Sequence, residues 1–155
     1  MKQKAYLGLD LGGTGAKAGV FDPTGALLGF GHAPYHPSVS GQGYVEIPIG
    51  EIYVAARDAV GKAIKESGTR VAGLSIASQG QTFVSLDEKD RPLHPAIMWY
   101  DSRASEQAER LNRTLLAADS DAPVPQIDGM ATAPKIMWMR DHYPDLMVRA
   151  RRYLL

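Results

Sequence analysis

The feature that most constrains this 155-residue chain is a glycine-rich hairpin close to its N-terminus. Residues 5–10 and 16–21 form two apolar runs, and the segment 12–15 between them holds three glycines and a threonine. Asp10 ends the first run, although β-strands disfavour aspartate and a buried carboxylate is costly unless it is paired or bound to a cation. Asp10 is therefore the first candidate functional residue.

The composition of the hairpin suits it to bind phosphate. Glycines let backbone N–H groups approach a ligand closely, and a neighbouring hydroxyl and ammonium can add further donors. The residues that would converge on phosphate oxygens in this way are Gly12, Gly13, Thr14, Gly15 and Lys17. Asp10 offers a hard oxygen ligand of the kind that Mg²⁺ prefers.

Two other glycine-rich motifs, the Walker A loop and the dinucleotide-binding fingerprint, have sequence or structural requirements that this segment does not meet. No register of the segment supplies the Walker A pattern G-x-x-x-x-G-K-[ST]. Residues 13–18 match G-x-G-x-x-[GA], but that dinucleotide fingerprint must open a helix, and here the glycines lead into a second strand-like run. A structural β-hairpin whose glycines serve only the turn stays open as an interpretation.

Composition narrows the class of protein. With 45% hydrophobic residues, 22% charged residues and a net charge of +0, the chain is typical of soluble globular proteins, and no basic stripe indicates a nucleic-acid partner. The chain has no cysteine, which excludes disulfides and cysteine metal sites. No apolar run is long enough for a signal peptide or a membrane span, so we expect a cytoplasmic protein without a membrane partner.

Hydrophobic periodicity predicts three consecutive strands over 5–10, 16–21 and about 26–33. A loop over about 34–43 should then lead into a helix that ends at Gly68. The apolar positions of that helix are Ile52, Ala56, Ala59, Val60, Ala63 and Ile64.

A buried strand is predicted over 71–78, and the chain returns as a strand over 82–86. Asp101 or Ser102 can cap the next helix, whose apolar stripe is Ala104, Ala108, Leu111 and Leu115. Pro134 and Pro144 each suit the first turn of a short helix. Residues 151–155 read as the start of another strand with no turn after it, which favours a truncated chain.

Three antiparallel strands, a crossing helix and a fourth strand are how an actin-like, ribonuclease-H-like ATPase domain begins, with a mixed sheet and flanking helices. The chain resembles the N-terminal part of an FGGY-family carbohydrate kinase. The blocks that carry the resemblance are residues 8–17, 71–79, 86–103 and 134–138. Their order and spacing span nearly the whole chain, whereas the first block alone would also fit hexokinase-like or ROK-type sugar kinases.

The resemblance implies ATP-dependent phosphorylation of a sugar or polyol hydroxyl, in a cleft between two actin-like domains. Residues 1–155 would be the N-terminal portion of the first domain. Asp10 would contact Mg²⁺ or its waters, residues 12–15 would cradle the transferred phosphate, and Lys17 would neutralise charge developing on it. ATP and Mg²⁺ are therefore the expected cofactors.

The resemblance also implies a set of residues that face the sugar. They are Gln79, Gly80, Gln81, Trp99, Asp101 and Arg103. Amide side chains can donate to and accept from hydroxyls, and an aromatic ring offers an apolar platform. Simpler alternatives remain, because residues 79–81 also suit a strand-end turn and Asp101 also suits a helix cap. Arg103 could pair with Asp101 or reach the cleft.

Departures from the family pattern leave the substrate open. The loop reads Gly-Gly-Thr-Gly where many members carry Gly-Thr followed by a second Thr or Ser. Gly80 and Gln81 stand where xylulokinases have Met-His and glycerol kinases have Arg-Glu. The general base, an aspartate in the family, is expected beyond Leu155, so this fragment alone should be inactive.

Two other classes compete with the kinase interpretation. The chain could be a non-catalytic actin-like fragment that binds a sugar or a partner. An acetate-kinase or ROK-like enzyme could share the first loop, but it is less consistent with the block 99–103. The expected partner is a small-molecule sugar or polyol, and a homodimer is left open.

Overall fold

The computed structural model describes residues 4–117 and 126–155. In chain order its strands are β1 (Ala5–Leu11), β2 (Gly15–Phe21), β3 (Leu27–Pro34), β4 (Ser38–Val39), β5 (Val45–Ile47), β6 (Val71–Ala77), β7 (Val84–Leu86), β8 (Ala96–Ile97) and β9 (Arg152–Leu154). Its helices are α1 (Ile49–Ser67), α2 (Ser105–Ala117), α3 (Thr132–His142) and α4 (Pro144–Arg149).

These elements group into two compact units. Unit 1 covers the described part of Met1–Pro37 together with Ile47–Gln79, and unit 2 covers Ser38–Glu46 and the described part of Gly80–Leu155. Within the described residues, no helix is both long enough and apolar enough to cross a membrane.

Unit 1 is built on a four-stranded sheet in the order β3-β2-β1-β6. Strands β1, β2 and β3 pair antiparallel, as a chain that turns twice through short hairpins must do. Strand β6 joins the other edge parallel to β1, which requires a long crossover connection, here containing α1. The predicted order of three antiparallel strands, a helix and a fourth strand is confirmed.

Helix α1 packs on this sheet through small residues. Its buried positions are Ile52, Ala55, Ala59 and Ala63. Three of the six predicted apolar positions are therefore buried, whereas Ala56 and Val60 are half-buried and Ile64 is exposed. A Cβ on Gly31 would lie 1.9 Å from the carbonyl oxygen of Ala59, so β3 needs glycine where the helix approaches it. Gly68 ends α1 at a φ of 59°, as predicted, and its N–H donates to the Ile64 carbonyl.

Unit 2 combines short strands with three helices. Strands β4, β5 and β8 form one sheet, and β7 pairs antiparallel with β9. The strand predicted near residues 151–155 is thus present as β9. The buried cluster at its core comprises Phe83, Ile97, Ala104, Trp138 and Met139, so the aromatic residue of the block 134–138 serves packing.

Three local predictions were wrong. The strand predicted over 71–78 is present as β6, but it is mostly exposed and not buried, with Leu74 58% and Ile76 57% exposed. The predicted loop over 34–43 contains β4, which pairs with β5. Asp101 and Ser102 do not cap the next helix, because α2 begins only at Ser105. The carboxylate of Asp101 accepts hydrogen bonds from Arg103 and Val45 instead.

Candidate functional site

The glycine hairpin of unit 1 presents two charges side by side. Asp10 and Lys17 are direct cross-strand partners on β1 and β2. Side chains alternate along a strand, so both lie on the opposite face from the buried Leu9 and Ala18, and both are exposed. Within the described residues, neither side chain forms a hydrogen bond or an ion pair. A carboxylate and an ammonium therefore flank the loop without being engaged by it.

The turn between them is tight. The Gly12 N–H donates to the Gly15 carbonyl at 3.0 Å. Gly15 is buried, and a Cβ there would lie 2.9 Å from the Ala33 carbonyl oxygen, so glycine is required for space. Thr14 is exposed and Gly13 is partly exposed. The tip of the loop can therefore meet a ligand with N–H groups and a hydroxyl.

The far side of this loop is held by two side chains. The Tyr35 hydroxyl and the Gln79 amide nitrogen both donate to the Gly12 carbonyl. Tyr35 is buried, and Gln79 lies two residues after the end of β6. Gln79 was predicted to face the sugar, and its amide contacts the glycine hairpin. The contact fixes the orientation of the Gly12 peptide.

A buried ion cluster lies in unit 2. The Arg103 guanidinium grips Asp101 in a bidentate pair, with Nε 2.9 Å from Oδ1 and Nη2 2.7 Å from Oδ2. Both side chains are fully buried, and Arg103 Nη1 also donates to Glu46 at 2.6 Å. Of the two alternatives left open for Arg103, pairing with Asp101 is the one observed.

Aromatic rings enclose the same guanidinium. Its Cζ lies 4.2 Å from the centroid of the Tyr44 ring and 4.9 Å from that of Trp138. An arginine between two rings gains cation–π attraction when it is desolvated. Arg103 is thus fixed by two carboxylates and two rings.

Electrostatics keep Asp101 ionised. Burial alone would raise the pKa of this carboxyl group, but hydrogen bonds from Arg103 and from the Val45 N–H outweigh burial and lower the pKa. Both carboxylate oxygens accept from protein donors. The Asp101 carboxylate therefore stabilises the local structure of residues 99–103.

Gln81 is held in one orientation at the start of α3. Its Oε1 accepts from the Thr132 N–H at 2.8 Å and from the Thr132 hydroxyl at 2.7 Å. A backbone N–H can only donate, so the amide oxygen must face Thr132 and the amide nitrogen remains a donor directed elsewhere. Gln81 and the preceding Gly80 are both exposed.

Trp99 differs from the other tryptophan of the chain. Its side chain is 45% exposed, whereas Trp138 is buried. The backbone N–H of Trp99 donates to the Thr82 hydroxyl at 2.9 Å, which fixes the main chain at this point. An exposed ring on a fixed backbone can serve as an apolar platform.

Sequence reasoning missed Lys135. This lysine of α3 is fully buried, and its Nζ donates to the carbonyls of Met98 at 2.8 Å, Gln81 at 3.2 Å and Trp99 at 3.3 Å. Burial lowers its pKa from 10.5 to about 8. The available signal was a charged residue inside the apolar block 134–138. Lysine is almost never fully buried unless it is paired, so a lysine at such a position indicates a specific set of partners.

Comparisons with known proteins show to which family the chain is similar. A family profile described as the FGGY family of carbohydrate kinases, N-terminal domain, matches residues 5–155. Xylulose kinase of Lactococcus lactis is 31% identical over 157 residues, covering 96% of this chain and 30% of that protein. Glycerol kinase of Thermococcus onnurineus is 30% identical, covering 94% and 30% respectively.

Among solved structures, xyloylose kinase from Brucella ovis matches with a TM-score of 0.86 and 29% identity, covering 97% of this chain and 32% of that one. The likeness confirms the predicted fold class, an actin-like ATPase domain with a mixed sheet and flanking helices. The chain spans about 30% of the length of the curated relatives it matches.

Proposed function

This chain belongs to the FGGY family of carbohydrate kinases, and from that premise we propose that the full-length protein transfers the γ-phosphoryl group of ATP to a hydroxyl of a sugar or polyol. The observation that carries the proposal is the pair Asp10 and Lys17, exposed on adjacent strands beside a glycine turn. Phosphoryl transfer needs positioning and charge stabilisation more than covalent chemistry, and this hairpin offers both.

The phosphate side of the proposed site uses the hairpin alone. N–H groups of Gly13 and Gly15 and the Thr14 hydroxyl would bind oxygens of the transferred phosphoryl group, and the Gly12 N–H, which already donates to the Gly15 carbonyl, would hold the turn in shape. The Lys17 ammonium would stabilise negative charge as it develops. Gln79 would act indirectly, since its amide already donates to Gly12.

Asp10 fits a role in holding Mg²⁺. This ion commonly takes one or two carboxylates and completes its coordination with water and substrate phosphates. Within the described residues, no group of three or more histidine, cysteine, aspartate or glutamate side chains could hold a metal ion. Mg²⁺ would therefore bind at Asp10 together with ATP, whose phosphates would supply further oxygen ligands. Bound there, Mg²⁺ would neutralise charge on the phosphates of ATP.

The sugar side would use Gln81 and Trp99. The amide nitrogen of Gln81, which makes no hydrogen bond with the described residues, would donate to a hydroxyl or carbonyl oxygen of the substrate, and the exposed Trp99 ring would pack on its C–H face. Gly80 has open space where a Cβ would lie, so it would leave room for the ligand. Asp101 and Arg103, predicted as direct contacts, would instead support Trp99 from within the core, because their charges satisfy each other.

The remaining parts of the proposal concern the whole protein. Residues 1–155 would be the N-terminal portion of the first of two actin-like domains, and the base that accepts the hydroxyl proton would be an aspartate outside them. The protein would work in the cytoplasm on a small-molecule substrate. The fragment alone would not turn over ATP with sugar.

The test is a substrate screen on the full-length product of the gene that encodes this chain. Pentuloses, hexoses and polyols are incubated with ATP and Mg²⁺, ADP is followed in a coupled assay, and the sugar phosphate is identified by mass spectrometry. We expect ADP formation that depends on one substrate class. Sugar binding by thermal shift with no ADP from any substrate would contradict the proposal and favour the non-catalytic alternative.

A further inference from the structure

Lys135 is buried in a way that packing alone does not explain. Placing an ammonium in the interior costs free energy unless hydrogen bonds compensate for lost hydration, and an apolar side chain would fill the same space without that cost. Lys135 is 0% exposed. Within the described residues no carboxylate lies within ion-pair distance of its Nζ, and all three of its hydrogen bonds go to main-chain carbonyls.

Those carbonyls come from two segments that are distant in sequence. One belongs to Gln81, which follows the first unit of the chain, and the others belong to Met98 and Trp99, which follow β8. A single ammonium with three N–H donors therefore ties together the backbones that carry the amide and the ring of the proposed sugar site.

The same turn of α3 also holds the Gln81 side chain. Thr132, three residues before Lys135, donates twice to the amide oxygen. Gln81 is thus fixed at its side chain by Thr132 and at its main chain by Lys135. Two anchors on one rigid helix leave the amide nitrogen little freedom to move relative to Trp99.

We propose that Lys135 is a positioning residue of the sugar site, whose ammonium sets the separation of the Gln81 amide and the Trp99 ring. The assignment rests on the proposed function, because it concerns the site where that function would bind its sugar. It concerns sugar affinity, whereas ATP would bind at the glycine hairpin of unit 1.

A pH dependence follows from the number of donors. The ammonium can satisfy three carbonyls, whereas a neutral amine has two N–H groups and leaves one carbonyl without its bond. With a pKa near 8, Lys135 loses its proton as the pH rises through the mildly alkaline range. The charged groups that act on it are Asp101 and Asp128, which favour the ammonium, and Arg103, which opposes it. The KM for sugar should therefore rise above about pH 8 while the KM for ATP stays constant.

The test compares Lys135→Met and Lys135→Gln with wild type in the full-length protein. Methionine keeps the length and removes every donor, and glutamine restores an N–H donor. We expect the KM for sugar to rise about tenfold in Lys135→Met and less in Lys135→Gln, with kcat changed less than about twofold, the KM for ATP unchanged and the alkaline rise in sugar KM abolished. Lys89→Met, the same change on an exposed lysine of unit 2, should behave as wild type.

Each other outcome overturns the assignment. Wild-type sugar KM in both variants would show that Lys135 does not position the site. Loss of cooperative thermal unfolding in both variants would make Lys135 a residue of the fold as a whole. Absence of sugar-dependent ADP formation in the wild type would refute the proposed function and this inference together, which distinguishes it from failure of the inference alone.

Discussion

The two units of this chain use charged residues in opposite ways. In unit 1, Asp10 and Lys17 are exposed and make no hydrogen bond or ion pair with the described residues. In unit 2, Asp101 and Arg103 are fully buried and bonded to each other. All four residues lie in blocks that resemble one enzyme family, yet only the first pair is available to a ligand.

The difference follows from the cost of desolvation. A buried charge that lacks a partner is expensive, so the fold must satisfy Asp101 and Arg103 internally before either could serve a substrate. An exposed charge keeps its hydration and loses little on folding. Exposure therefore separates residues that would act on a ligand from residues that hold the site in shape.

The largest effect on stability should come from breaking the buried pair. Arg103→Met leaves the Asp101 carboxylate buried without its main partner and should lower the free energy of unfolding by about 3–5 kcal/mol. The matched control is Arg110→Met, which removes an exposed pair with Asp141 (2.8 Å) and should cost about 0–1 kcal/mol. Urea titration of the full-length protein measures both.

Equal losses in the two arginine variants would contradict the contrast between buried and exposed charges. A stable Arg103→Met protein that had lost sugar binding would go further. It would return Arg103 to the role of a direct substrate contact.

An intermediate effect is expected at the sugar side. Gln81→Ala removes the amide donor and should raise the KM for sugar about tenfold, with a smaller change in the KM for ATP, because a polar group left without its partner discriminates strongly. Gln42→Ala, at another exposed glutamine of unit 2, is the control. Steady-state kinetics with each substrate varied in turn decide the outcome, and equal changes in both KM values would remove Gln81 from the sugar site.

The smallest effect concerns a structural carboxylate. Asp87 accepts from the N–H groups of Arg91 and Lys89 and from the Arg91 guanidinium, and the Arg91 bonds, led by its backbone N–H, lower the pKa of Asp87 from 3.8 to about 2. The folded state therefore resists protonation, so the stability that Asp87 contributes is present above about pH 4 and is lost as the pH falls towards 2.

Asp87→Asn should accordingly lower the urea midpoint at pH 6 and make it less sensitive to pH between 4 and 2. Glu88→Gln, at an exposed residue of the same turn, should keep the wild-type pH dependence. If the urea midpoint of Asp87→Asn depended on pH as in wild type, the lowered pKa of Asp87 would not be the source of the acid sensitivity.

Local signals in the sequence were enough to predict the order of the elements in unit 1, although not the burial of β6. The hairpin, the crossover helix and its stop at Gly68 depend on periodicity, turn residues and a left-handed glycine, all read from neighbouring positions. Strands β4 and β8 have two residues each, which is too short for a periodic pattern to predict them. Strand β4 pairs with the nearby β5, whereas β8 pairs with the same β5 from far along the chain.

The site followed the same division. Asp10 and Lys17 could be chosen from their own hairpin. The partner of Arg103 at Glu46 lies 57 positions away, and the carbonyls that bind Lys135 lie 36, 37 and 54 positions away. The sequence identified the block that contains Lys135, but it indicated no role for this lysine, because burial is a property of the folded unit.

The most direct test of the central claim is the turnover number of Asp10→Asn in the full-length protein, measured beside its melting temperature. Because Asp10 is exposed, we expect an unchanged melting temperature and a kcat reduced by at least about a hundredfold, the scale of losing one group that stabilises transition-state charge. Asp58→Asn, at an exposed carboxylate on α1, should leave both values as in wild type. Wild-type turnover in Asp10→Asn would contradict the account, as would a loss of activity matched by a loss of folding.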